Sequence, residues 1–526
     1  MRIAVLFLGT AAVGVVVLSP LTGLFPVVRL SAVLVPLLLV GTLTAWPLRW
    51  RASDWEGLLQ WRPSRRTVWV GAAASALLLF WIILTRFLSG EINGVDFTIY
   101  FDRPLYQTTQ GRPLFVETTD DPRFAQLTHL AVHAYWLLLP LSALYLVHAT
   151  PLWLLALTAI APVLGAMHVM RIAGRLGFGG VLASAAAIVF LFNDNTARSL
   201  NYGFHPEILY CWFVPWLVDA ALRRARGSFV AAMILCVLVK EDAIFPLLAS
   251  SIALGLIRWR EYTTHERLLF LVAPPCLALA NLAIYYSVVI PALAPGGEVM
   301  YSYFWANYGA TPIAAIGGML ARPWQVVASV PSSGWLRHVL LPFLFVPLIG
   351  WRWSVGTLPL VLVYSASAAE QVRDFGIYYS IVLVPFYTIA ALQGATSVGA
   401  LFRRPAAAIA AVVSLLVLGA VAIGNGYSLR PWEPQIAAVP RAIEALQDEP
   451  VVLVQSGLYP HAGYESRVQI LTHVTLNDPA HQGAALLLAP DVSAYPFERA
   501  EWEALLQLPR LAALPEGIVA VRLIRP

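Results

Sequence analysis

Residues 235–245 read LCVLVKEDAIF, so that two apolar runs meet at three adjacent charged residues. Lys240 is the only lysine of the 526-residue chain, and apolar residues continue beyond it to Ile257. A charged residue at the centre of a membrane helix costs at least about 2.5–3.5 kcal/mol and is seldom kept without a partner or a function. The stretch therefore predicts a membrane protein with a polar site in or beside the membrane.

The composition of the whole chain indicates the same class. Hydrophobic residues make up 59% of the chain and charged residues 12%, whereas a soluble domain carries roughly 25% charged residues. The net charge of +5 comes almost wholly from arginines in short loops, a pattern typical of membrane orientation rather than of nucleic-acid binding. We predict an all-α polytopic membrane protein whose partner is the lipid bilayer, with no nucleic acid bound.

Apolar runs that approach the length of a bilayer predict about thirteen transmembrane helices. Arginine-rich loops favour the cytoplasmic side, which places the N-terminus inside. These loops share one side only if residues 131–147 do not cross the membrane, so a re-entrant or interfacial helix is expected there. The predicted spans are 3–18, 28–46, 67–88, 152–170, 180–193, 207–222, 228–240, 243–257, 268–290, 336–350, 354–366, 380–397 and 406–423. The outer side then carries the loops 89–150, 194–206, 291–335 and 367–379.

Residues 427–526 have a different pattern, in which helix-like and strand-like segments alternate. The helix-like segments are 435–447 and 497–508, and the strand-like runs are 451–454, 484–489 and 518–523. This alternation predicts a small α/β domain on the outer side. Residues 1–426 are then the multi-spanning domain, and 89–150 is its large outer loop.

Candidate reactive groups concentrate on the predicted outer side, beginning with the segment GVDFTIYFDR at 94–103. Asp96 follows a predicted span directly, and aromatic residues separate it from Asp102 and Arg103. A carboxylate at the mouth of a membrane cavity could accept a proton from a hydroxyl nucleophile. It could equally cap a helix or lie solvated in a loop.

A second group on the same loop contains Asp120, Asp121, His129 and His133. Two acids and two histidines could hold a divalent cation, but their spacing is not diagnostic of a metal site. Histidine pairs of this kind are mostly polar residues at the membrane interface. A metal requirement therefore stays open.

Two further outward segments carry candidates for contact with an anion. Glu207 lies in the first turn of a predicted helix, where an acid is favoured, but His205 beside it has no such explanation and could bind phosphate or relay a proton. Arg373 is an outward arginine shortly before Tyr378. It could clamp an anion, or simply pair with the adjacent aspartate.

The charged triplet Lys240, Glu241 and Asp242 also has two interpretations. It could be a mutually neutralised cluster at a helix boundary, with Lys240 extending outward to water. Alternatively, Lys240 contacts a phosphate as a point charge while Glu241 positions that lysine or a hydroxyl group. The predicted orientation puts the triplet on the same side as Asp96.

Taken in order, these elements resemble a bacterial family of predicted multi-spanning membrane proteins of unknown function. That family in turn resembles the C-type (GT-C) glycosyltransferase superfamily, in which many spans, a large first outer loop with an acidic residue and juxtamembrane helices recur. The elements that carry the resemblance are the Asp96 loop, His129 with 140–145, 204–207, 240–242, 378–380 with Pro385 and Phe386, and 458–461 with Arg467.

The resemblance implies a GT-C-like fold and a glycosyltransferase of the outer face of a bacterial inner membrane, with a polyprenyl-phosphate-linked sugar as donor. Asp96 is then expected to be the general base, with Glu241 as a second catalytic residue. Lys240 and Arg373 are expected to hold the donor phosphate. The full set expected to contact substrate is Asp102, Arg103, His129, His205, Glu207, Lys240, Asp242, Arg373 and Tyr378. The cofactor stays open, with a divalent cation as the candidate.

Two other functions stay open at the level of sequence. Intramembrane charges also mark the pathways of transporters and lipid flippases, although the inverted repeat that accompanies many transporters is not evident here. A non-catalytic lipid-binding protein could keep the same architecture without the chemistry.

Overall fold

The computed structural model describes residues 62–118, 121, 123, 126–297, 299–403, 405–420, 427 and 429–524. The predicted spans at 3–18 and 28–46, and the candidate ligand Asp120, lie outside the described residues. Helices make up most of the described chain up to residue 420, and a small sheet domain follows.

Four helices of the described chain are long and apolar enough to cross a membrane. They are Arg65–Leu88, Leu152–Arg175, Thr264–Leu293 and Ile381–Gly399. A fifth span results if Gly180–Phe192 and Asp194–Asn201, which meet at a 41° bend, are taken together. The bend falls at Asn193, whose side chain accepts a hydrogen bond from the Asn195 amide and so begins a new helix.

The remaining helices of this part are shorter, and the prediction of about thirteen spans is not confirmed. A helix of 13–15 residues rises only about 20 Å, less than the roughly 30 Å of a bilayer core. The principal shorter helices are Tyr210–Leu222, Arg226–Val239, Ile244–Arg258, Pro312–Ala321, Pro323–Ser329, Trp351–Ser354, Leu358–Ser365 and Pro405–Leu418.

The predicted span at 336–350 is wrong as a continuous helix. A π-helical turn at Trp335–Leu340 is followed by Leu344 and Phe345, both with positive φ (52° and 58°). The left-handed region is strained for residues with a Cβ and breaks the helical path. Prolines on either side also remove backbone donors, so apolarity alone misled the prediction at this position.

The stretch 131–147 contains two short helices, Leu138–Leu141 and Ala143–Val147. The ten residues from Leu138 to Val147 rise about 15 Å, half the thickness of the hydrocarbon core. The amide of Leu137 donates to the Leu238 carbonyl oxygen at 2.9 Å, which ties the stretch to the end of the Arg226–Val239 helix. The stretch is therefore not among the described helices that are long enough to cross a membrane.

The helices pack closely around the segment that carries the charged triplet. A Cβ on Gly165 would collide with the Cys211 carbonyl, so glycine permits the Leu152–Arg175 and Tyr210–Leu222 helices to approach at this point. Lys240 has extended backbone between the Arg226–Val239 helix and a 3₁₀ turn at Glu241–Ala243. The chain therefore reverses direction at the triplet and presents its side chains to the neighbouring segments.

The C-terminal domain is a five-stranded mixed sheet of order β4-β3-β5-β7-β6, and a two-stranded hairpin, β1–β2, lies within residues 89–150. β3 is parallel to β4 and β5, whereas β7 is antiparallel to β5 and β6. The strands are β1 Phe115–Val116, β2 Leu127–Thr128, β3 Val452–Val454, β4 Val468–Ile470, β5 Ala485–Leu488, β6 Arg510–Ala513 and β7 Val519–Arg522. The accompanying helices are Pro434–Ala445, His473–Asn477 and Arg499–Leu506.

The prediction of a small C-terminal domain with helices and a sheet is confirmed, although β4 and β6 were not predicted. β5 reads ALLL and is buried throughout, as expected for a strand covered on both faces. β4 alternates over only three residues (VQI), and β6 (RLAA) contains no β-branched or aromatic residue, so the sequence gave only a weak strand signal for them.

The sheet domain packs on the end of the first described helix and on the loop after it. The His461 ring donates from Nε2 to the Phe87 carbonyl oxygen at 3.0 Å, and burial lowers the pKa of His461 to about 4. The amide of Gly94 donates to Ser456 Oγ at 3.2 Å, and a Cβ on Gly94 would collide with the Ser456 carbonyl. The domain thus fixes the segment immediately before Asp96.

Candidate functional site

A buried ion pair lies at the centre of the candidate site. Lys240 Nζ donates to Glu207 Oε1 at 2.6 Å, and the two residues are only 7% and 3% exposed. The Tyr135 hydroxyl donates to the same oxygen at 3.3 Å, and Nζ lies 5.7 Å from the centre of the Tyr135 ring. The pair is therefore held from three separate segments, and breaking it would leave a buried charge without its partner.

Glu241 is held by the stretch 131–147. Its Oε1 accepts from His133 Nδ1 at 2.7 Å, and its Oε2 accepts from the Ala134 amide at 2.9 Å. The His133 ring also stacks on Tyr301, with centres 4.9 Å apart. Both carboxylate oxygens of Glu241 are thus engaged, which suits a residue that positions its neighbours.

His205 occupies the space between this ion pair and Tyr378. Its ring stacks on Tyr378 with centres 3.8 Å apart, and its Nδ1 lies 3.6 Å from Glu207 Oε2. Both ring nitrogens of His205 and Oε2 of Glu207 are buried and have no hydrogen-bond partner among the described residues. Such groups are rare in native structures and call for an explanation, for example a ligand. We refer to His133, His205, Glu207, Lys240 and Glu241 as the charge cluster.

Asp96 is linked to the charge cluster through tyrosines. It lies in the π-helical turn Val95–Asp102 and accepts from Asn93 Nδ2 at 3.0 Å and from the Tyr202 hydroxyl. The Tyr202 ring lies 5.3 Å from His205 and 5.6 Å from Tyr378, centre to centre. Asp96 is only partly buried, so it lies at the more open side of this group.

Asp242 is turned toward two other tyrosines. Its Oδ1 accepts from the Tyr210 hydroxyl at 2.9 Å, and its Oδ2 accepts from the Tyr364 hydroxyl at 3.5 Å. The three charged residues of the triplet thus point to three different partners. Asp242 adjoins the charge cluster in sequence, but its described hydrogen bonds go to Tyr210 and Tyr364, which favours a supporting position.

His129 is a neutral ring whose centre lies 6.3 Å from that of His133 in the charge cluster. Its Nδ1 donates to the Tyr100 carbonyl oxygen at 2.7 Å, and the ring is surrounded by Tyr100, Phe101 and Tyr135. Burial, followed by the neighbouring His133, lowers the pKa of His129 to about 3. The ring is therefore uncharged at neutral pH and packs against the aromatic residues.

Asp102 and Arg103 belong to a separate group, which we call the loop clamp: Asp102, Arg103, Glu117, Tyr145 and Tyr464. The Tyr145 and Tyr464 hydroxyls donate to Asp102 Oδ1 at 2.6 and 2.9 Å. Burial raises the pKa of Asp102 to about 6, although these two hydroxyls lower it.

All three side-chain nitrogens of Arg103 donate hydrogen bonds in the loop clamp. Nε donates to Glu117 at 2.9 Å, and Nη1 and Nη2 donate to the carbonyl oxygens of Gly463 and Glu465, each at 2.9 Å. These bonds join the segment 103–117 to the sheet domain. The geometry thus gives Arg103 a structural task, whereas the sequence suggested contact with substrate.

Arg373 and Tyr378, which the sequence grouped together, lie in different surroundings. Within the part of the chain that the structure describes, no hydrogen bond or ion pair joins the half-buried Arg373 side chain to another residue. Its carbonyl oxygen accepts from the Gly334 amide at 3.1 Å. Tyr378 instead stacks on His205 and donates to the Tyr379 hydroxyl at 3.3 Å.

A polar cavity of about 400 Å³ adjoins the loop that carries Tyr378. Phe375 and Ile377 of this loop have positive φ (51° and 53°), which is strained for residues with a Cβ. Strain of this kind is often found at functional sites. The cavity is lined by Arg198, His338, Glu370, Gln371, Asp374 and Gly376.

The described residues hold no group of three or more His, Cys, Asp or Glu side chains arranged to bind a metal ion. Asp121 pairs with Arg123, and the rings of His129 and His133 lie 6.3 Å apart with each Nδ1 already engaged. Tyr135 and Tyr202 are the site residues that sequence reasoning missed. Each stands close to a histidine that was singled out, which is the signal that could have found them.

One protein family, described as "Predicted membrane protein (DUF2079)", has a model that matches residues 91–481. No curated protein matches the chain. Crystal structures of ArnT from Cupriavidus metallidurans align over 88% of this chain and 100% of theirs, with TM-scores of 0.45 bound to undecaprenyl phosphate and 0.44 in the apo state, at 12% and 13% identity. The arabinofuranosyltransferase AftD from Mycobacteria aligns over 89% of this chain and 40% of its own, with TM-score 0.46 and 15% identity. Alignments of this quality carry no argument about activity.

Proposed function

The chain belongs to the DUF2079 family of predicted membrane proteins, and we propose that its charge cluster is the reaction site of a membrane glycosyltransferase. The donor is a sugar joined to polyprenyl phosphate, and the acceptor is a hydroxyl compound. The reaction takes place on the outer face of a bacterial inner membrane.

The observation that carries the proposal is a set of buried polar atoms on His205 and Glu207 that make no hydrogen bond with any described residue. His205 Nε2 has no hydrogen-bond partner among the described residues, and His205 Nδ1 and Glu207 Oε2 face each other at 3.6 Å, too far apart for a hydrogen bond. An unmade hydrogen bond of a buried group costs about 1–3 kcal/mol. A substrate with hydrogen-bond donors and acceptors offsets this cost. Lys240 contacts Glu207 directly, and Asp96 is connected to His205 through Tyr202.

Asp96 is proposed as the general base. The acceptor hydroxyl oxygen attacks the anomeric carbon of the sugar, and Asp96 takes the hydroxyl proton. The bond from the anomeric carbon to the phosphate oxygen breaks, and polyprenyl phosphate leaves with the electron pair. Tyr202 and Asn93 orient the carboxylate through the hydrogen bonds that they donate to it.

Lys240 is proposed to stabilise the negative charge that develops on the leaving phosphate. In the structure its ammonium group is engaged by Glu207, so a phosphate would share or replace this contact. Glu241, with both oxygens bound to His133 and Ala134, is proposed as a positioning residue. This assigns to Glu241 a supporting task and leaves Asp96 as the single proposed base.

The polar cavity beside Tyr378 is proposed to receive the sugar. Carboxylate, amide and guanidinium groups line it, and such groups pair readily with sugar hydroxyls. Its loop continues directly into Tyr378, which stacks on His205. A sugar in this cavity would therefore adjoin the proposed reacting groups.

The orientation of the chain is part of the same proposal, with residues 1–426 as the membrane domain and 427–526 as the outer domain. Arg65 begins a 24-residue helix, and the other end of this helix contacts the sheet domain through Phe87. The two ends are about 35 Å apart, more than the thickness of a bilayer core. This separation supports a cytoplasmic side at Arg65 and an outer side at the sheet domain.

The test is a transfer assay with membranes that contain the full chain and labelled polyprenyl-phosphate sugars. Asp96→Asn should lower the transfer rate by about 10²–10⁴-fold, the usual range for loss of a general base. Glu503→Gln, on an exposed face of the sheet domain, serves as the matched control and should transfer like wild type. The proposal fails if wild type transfers no sugar, or if wild type and Asp96→Asn are alike. Binding of a polyprenyl phosphate without turnover would indicate a lipid-binding protein instead.

A further inference from the structure

A second cavity, of about 940 Å³, lies at the opposite end of the helix bundle from the charge cluster. It opens where the first described helix begins and where the Leu152–Arg175 helix ends. Neither the candidate reaction nor the sheet domain makes use of it. Its charged lining is dominated by five arginines: Arg62, Arg65, Arg171, Arg175 and Arg223.

The inner wall of this cavity is fixed by a fully buried carboxylate. Asp219 is 0% exposed and accepts from Arg175 Nε at 2.9 Å and from His168 Nδ1 at 3.1 Å, while Arg223 Nε lies 3.3 Å away. These contacts join the ends of two helices. Arg175 and Arg223 both form ion pairs with Asp219. These two arginines are therefore part of the structural wall of the cavity.

The three remaining arginines supply an excess of positive charge. Arg62, Arg65 and Arg171 are exposed, and none of them forms an ion pair with any residue that the structure describes. Guanidinium groups present paired donors that match the oxygens of a phosphate. A cavity with several of them therefore favours a phosphate-bearing anion.

The uncharged part of the lining indicates which kind of phosphate would fit. Trp69 lies one helical turn from Arg65 and is 58% exposed, and Met167 and Met170 line the cavity from the neighbouring helix. Basic pockets between membrane helices on the cytoplasmic side are suited to anionic lipid headgroups. An anionic lipid could contact both parts of the lining. Its phosphate would bind the arginines, and its acyl chains would pack against the apolar residues.

We propose that this cavity binds the phosphate headgroup of an anionic phospholipid from the leaflet opposite the charge cluster. The site is independent of the proposed transfer reaction, because it shares no residue with the charge cluster and lies toward the other end of the Tyr210–Leu222 helix. Its contribution would be to anchor the helix ends at a defined depth in the bilayer.

The experiment uses the full-length protein in detergent and native mass spectrometry, with dioleoyl-phosphatidylglycerol and dioleoyl-phosphatidylcholine as probes. The double variant Arg62→Gln/Arg171→Gln should bind phosphatidylglycerol roughly ten- to thirtyfold more weakly, as expected for two lost phosphate contacts. Binding of phosphatidylcholine should change little. Arg260→Gln, an exposed arginine outside the cavity, is the matched control and should bind both lipids like wild type.

The two alternative sources of the phosphate are separated by competition with inorganic phosphate. If the ligand is a lipid, millimolar inorganic phosphate should leave phosphatidylglycerol bound. Displacement at that concentration would overturn the lipid assignment, and equal phosphatidylglycerol binding by wild type and the double variant would overturn the site. Arg171→Lys, which keeps the charge, should retain most of the binding, and unchanged thermal unfolding of each variant shows that the fold persists.

Discussion

The charge cluster and the loop clamp are both buried polar groups, but they differ in how completely their atoms are satisfied. In the loop clamp, Arg103 donates from Nε, Nη1 and Nη2, and Asp102 accepts two tyrosine hydroxyls on one oxygen. In the charge cluster, His205 and Glu207 retain buried atoms without a partner. A saturated group stabilises the fold, whereas unsatisfied atoms reduce stability unless a ligand supplies the missing bonds.

The difference suggests that burial alone does not identify a reactive residue. Asp102 and Arg103 are as buried as Glu207 and Lys240 and lie closer in sequence to the proposed base. What distinguishes the charge cluster is that buried polar atoms of His205 and Glu207 make no hydrogen bond with any described residue. The following predictions test whether the two groups respond to substitution as this distinction requires.

The largest effect on stability is expected for Lys240→Ala. It leaves Glu207 buried without a cation, which typically costs about 3–5 kcal/mol in the free energy of unfolding. The measurement is chemical unfolding of the purified protein in detergent. Arg258→Ala is the matched control because its pair with Glu261 is partly exposed, and it should cost at most about 1 kcal/mol. A loss of less than about 1 kcal/mol in Lys240→Ala would show that the ion pair contributes little.

A pH-dependent effect is expected for Asp102 in the loop clamp. Its pKa is about 6 in the folded protein, above the roughly 3.9 of an unfolded chain. The folded state therefore holds the proton more tightly, so the stability contributed by Asp102 is fully present below pH 4 and is lost as pH rises through 6. The loss amounts to about 3 kcal/mol.

Asp102→Asn removes this titration and supplies the control for it. Unfolding of wild type and variant should be compared at pH 4 and pH 7. Wild type should lose about 2 kcal/mol relative to the variant between these values, because an unfolded carboxyl is already half ionised at pH 4. A difference between the two proteins that stays constant with pH would contradict the raised pKa.

A somewhat smaller loss is expected for Arg103→Lys, because a single ammonium group cannot reach Glu117, Gly463 and Glu465 together. We expect a loss of about 2–3 kcal/mol from unsatisfied buried acceptors. Limited proteolysis should also cut between the membrane domain and the sheet domain more readily. Arg467→Lys, another arginine of the sheet domain with carbonyl contacts, tests whether the effect is specific to the domain contact. Equal protease resistance of Arg103→Lys and wild type would show that the clamp does not hold the domains together.

The sequence predicted the ingredients of both groups but not their pairing. Lys240 and Glu207 lie 33 residues apart and His133 and Glu241 lie 108 apart, so each pair depends on helix packing that periodicity does not specify. Arg103 meets its carbonyl partners across about 360 residues. Apolar runs located the long apolar helices to within a few residues, whereas helices such as Asp194–Asn201 and Pro312–Ala321 lie in stretches that were predicted to be loops.

The errors of prediction have an equally local cause. Positions 336–350 are apolar enough for a span, but two residues in the left-handed region interrupt the helix there. The task of Arg103 could not be deduced either, since an arginine that clamps domains and one that binds phosphate look identical in a sequence. Sequence reasoning therefore located the polar sites, and the three-dimensional contacts separated the saturated group from the open one.

The smallest effect on stability, and the sharpest test of the comparison, is expected for His205→Phe. Phenylalanine keeps a ring between Tyr378 and Phe101 and removes two buried nitrogens that make no hydrogen bond with any described residue, although Nδ1 lies 3.6 Å from Glu207 Oε2. The free energy of unfolding should therefore change by no more than about 1 kcal/mol, and it could rise. If the open nitrogens serve a substrate, the transfer rate in the membrane assay should nevertheless fall by about a hundredfold.

A structural role would give the opposite pattern. His461→Phe is the matched control, because the His461 ring is also buried but its Nε2 donates to the Phe87 carbonyl oxygen. This variant should lose about 1–3 kcal/mol of stability through the unpaired carbonyl and keep its transfer rate once folded. If His205→Phe instead destabilises the protein as much as His461→Phe and leaves transfer unchanged, His205 is a packing residue. The unsatisfied atoms of the charge cluster would then no longer mark a reaction site.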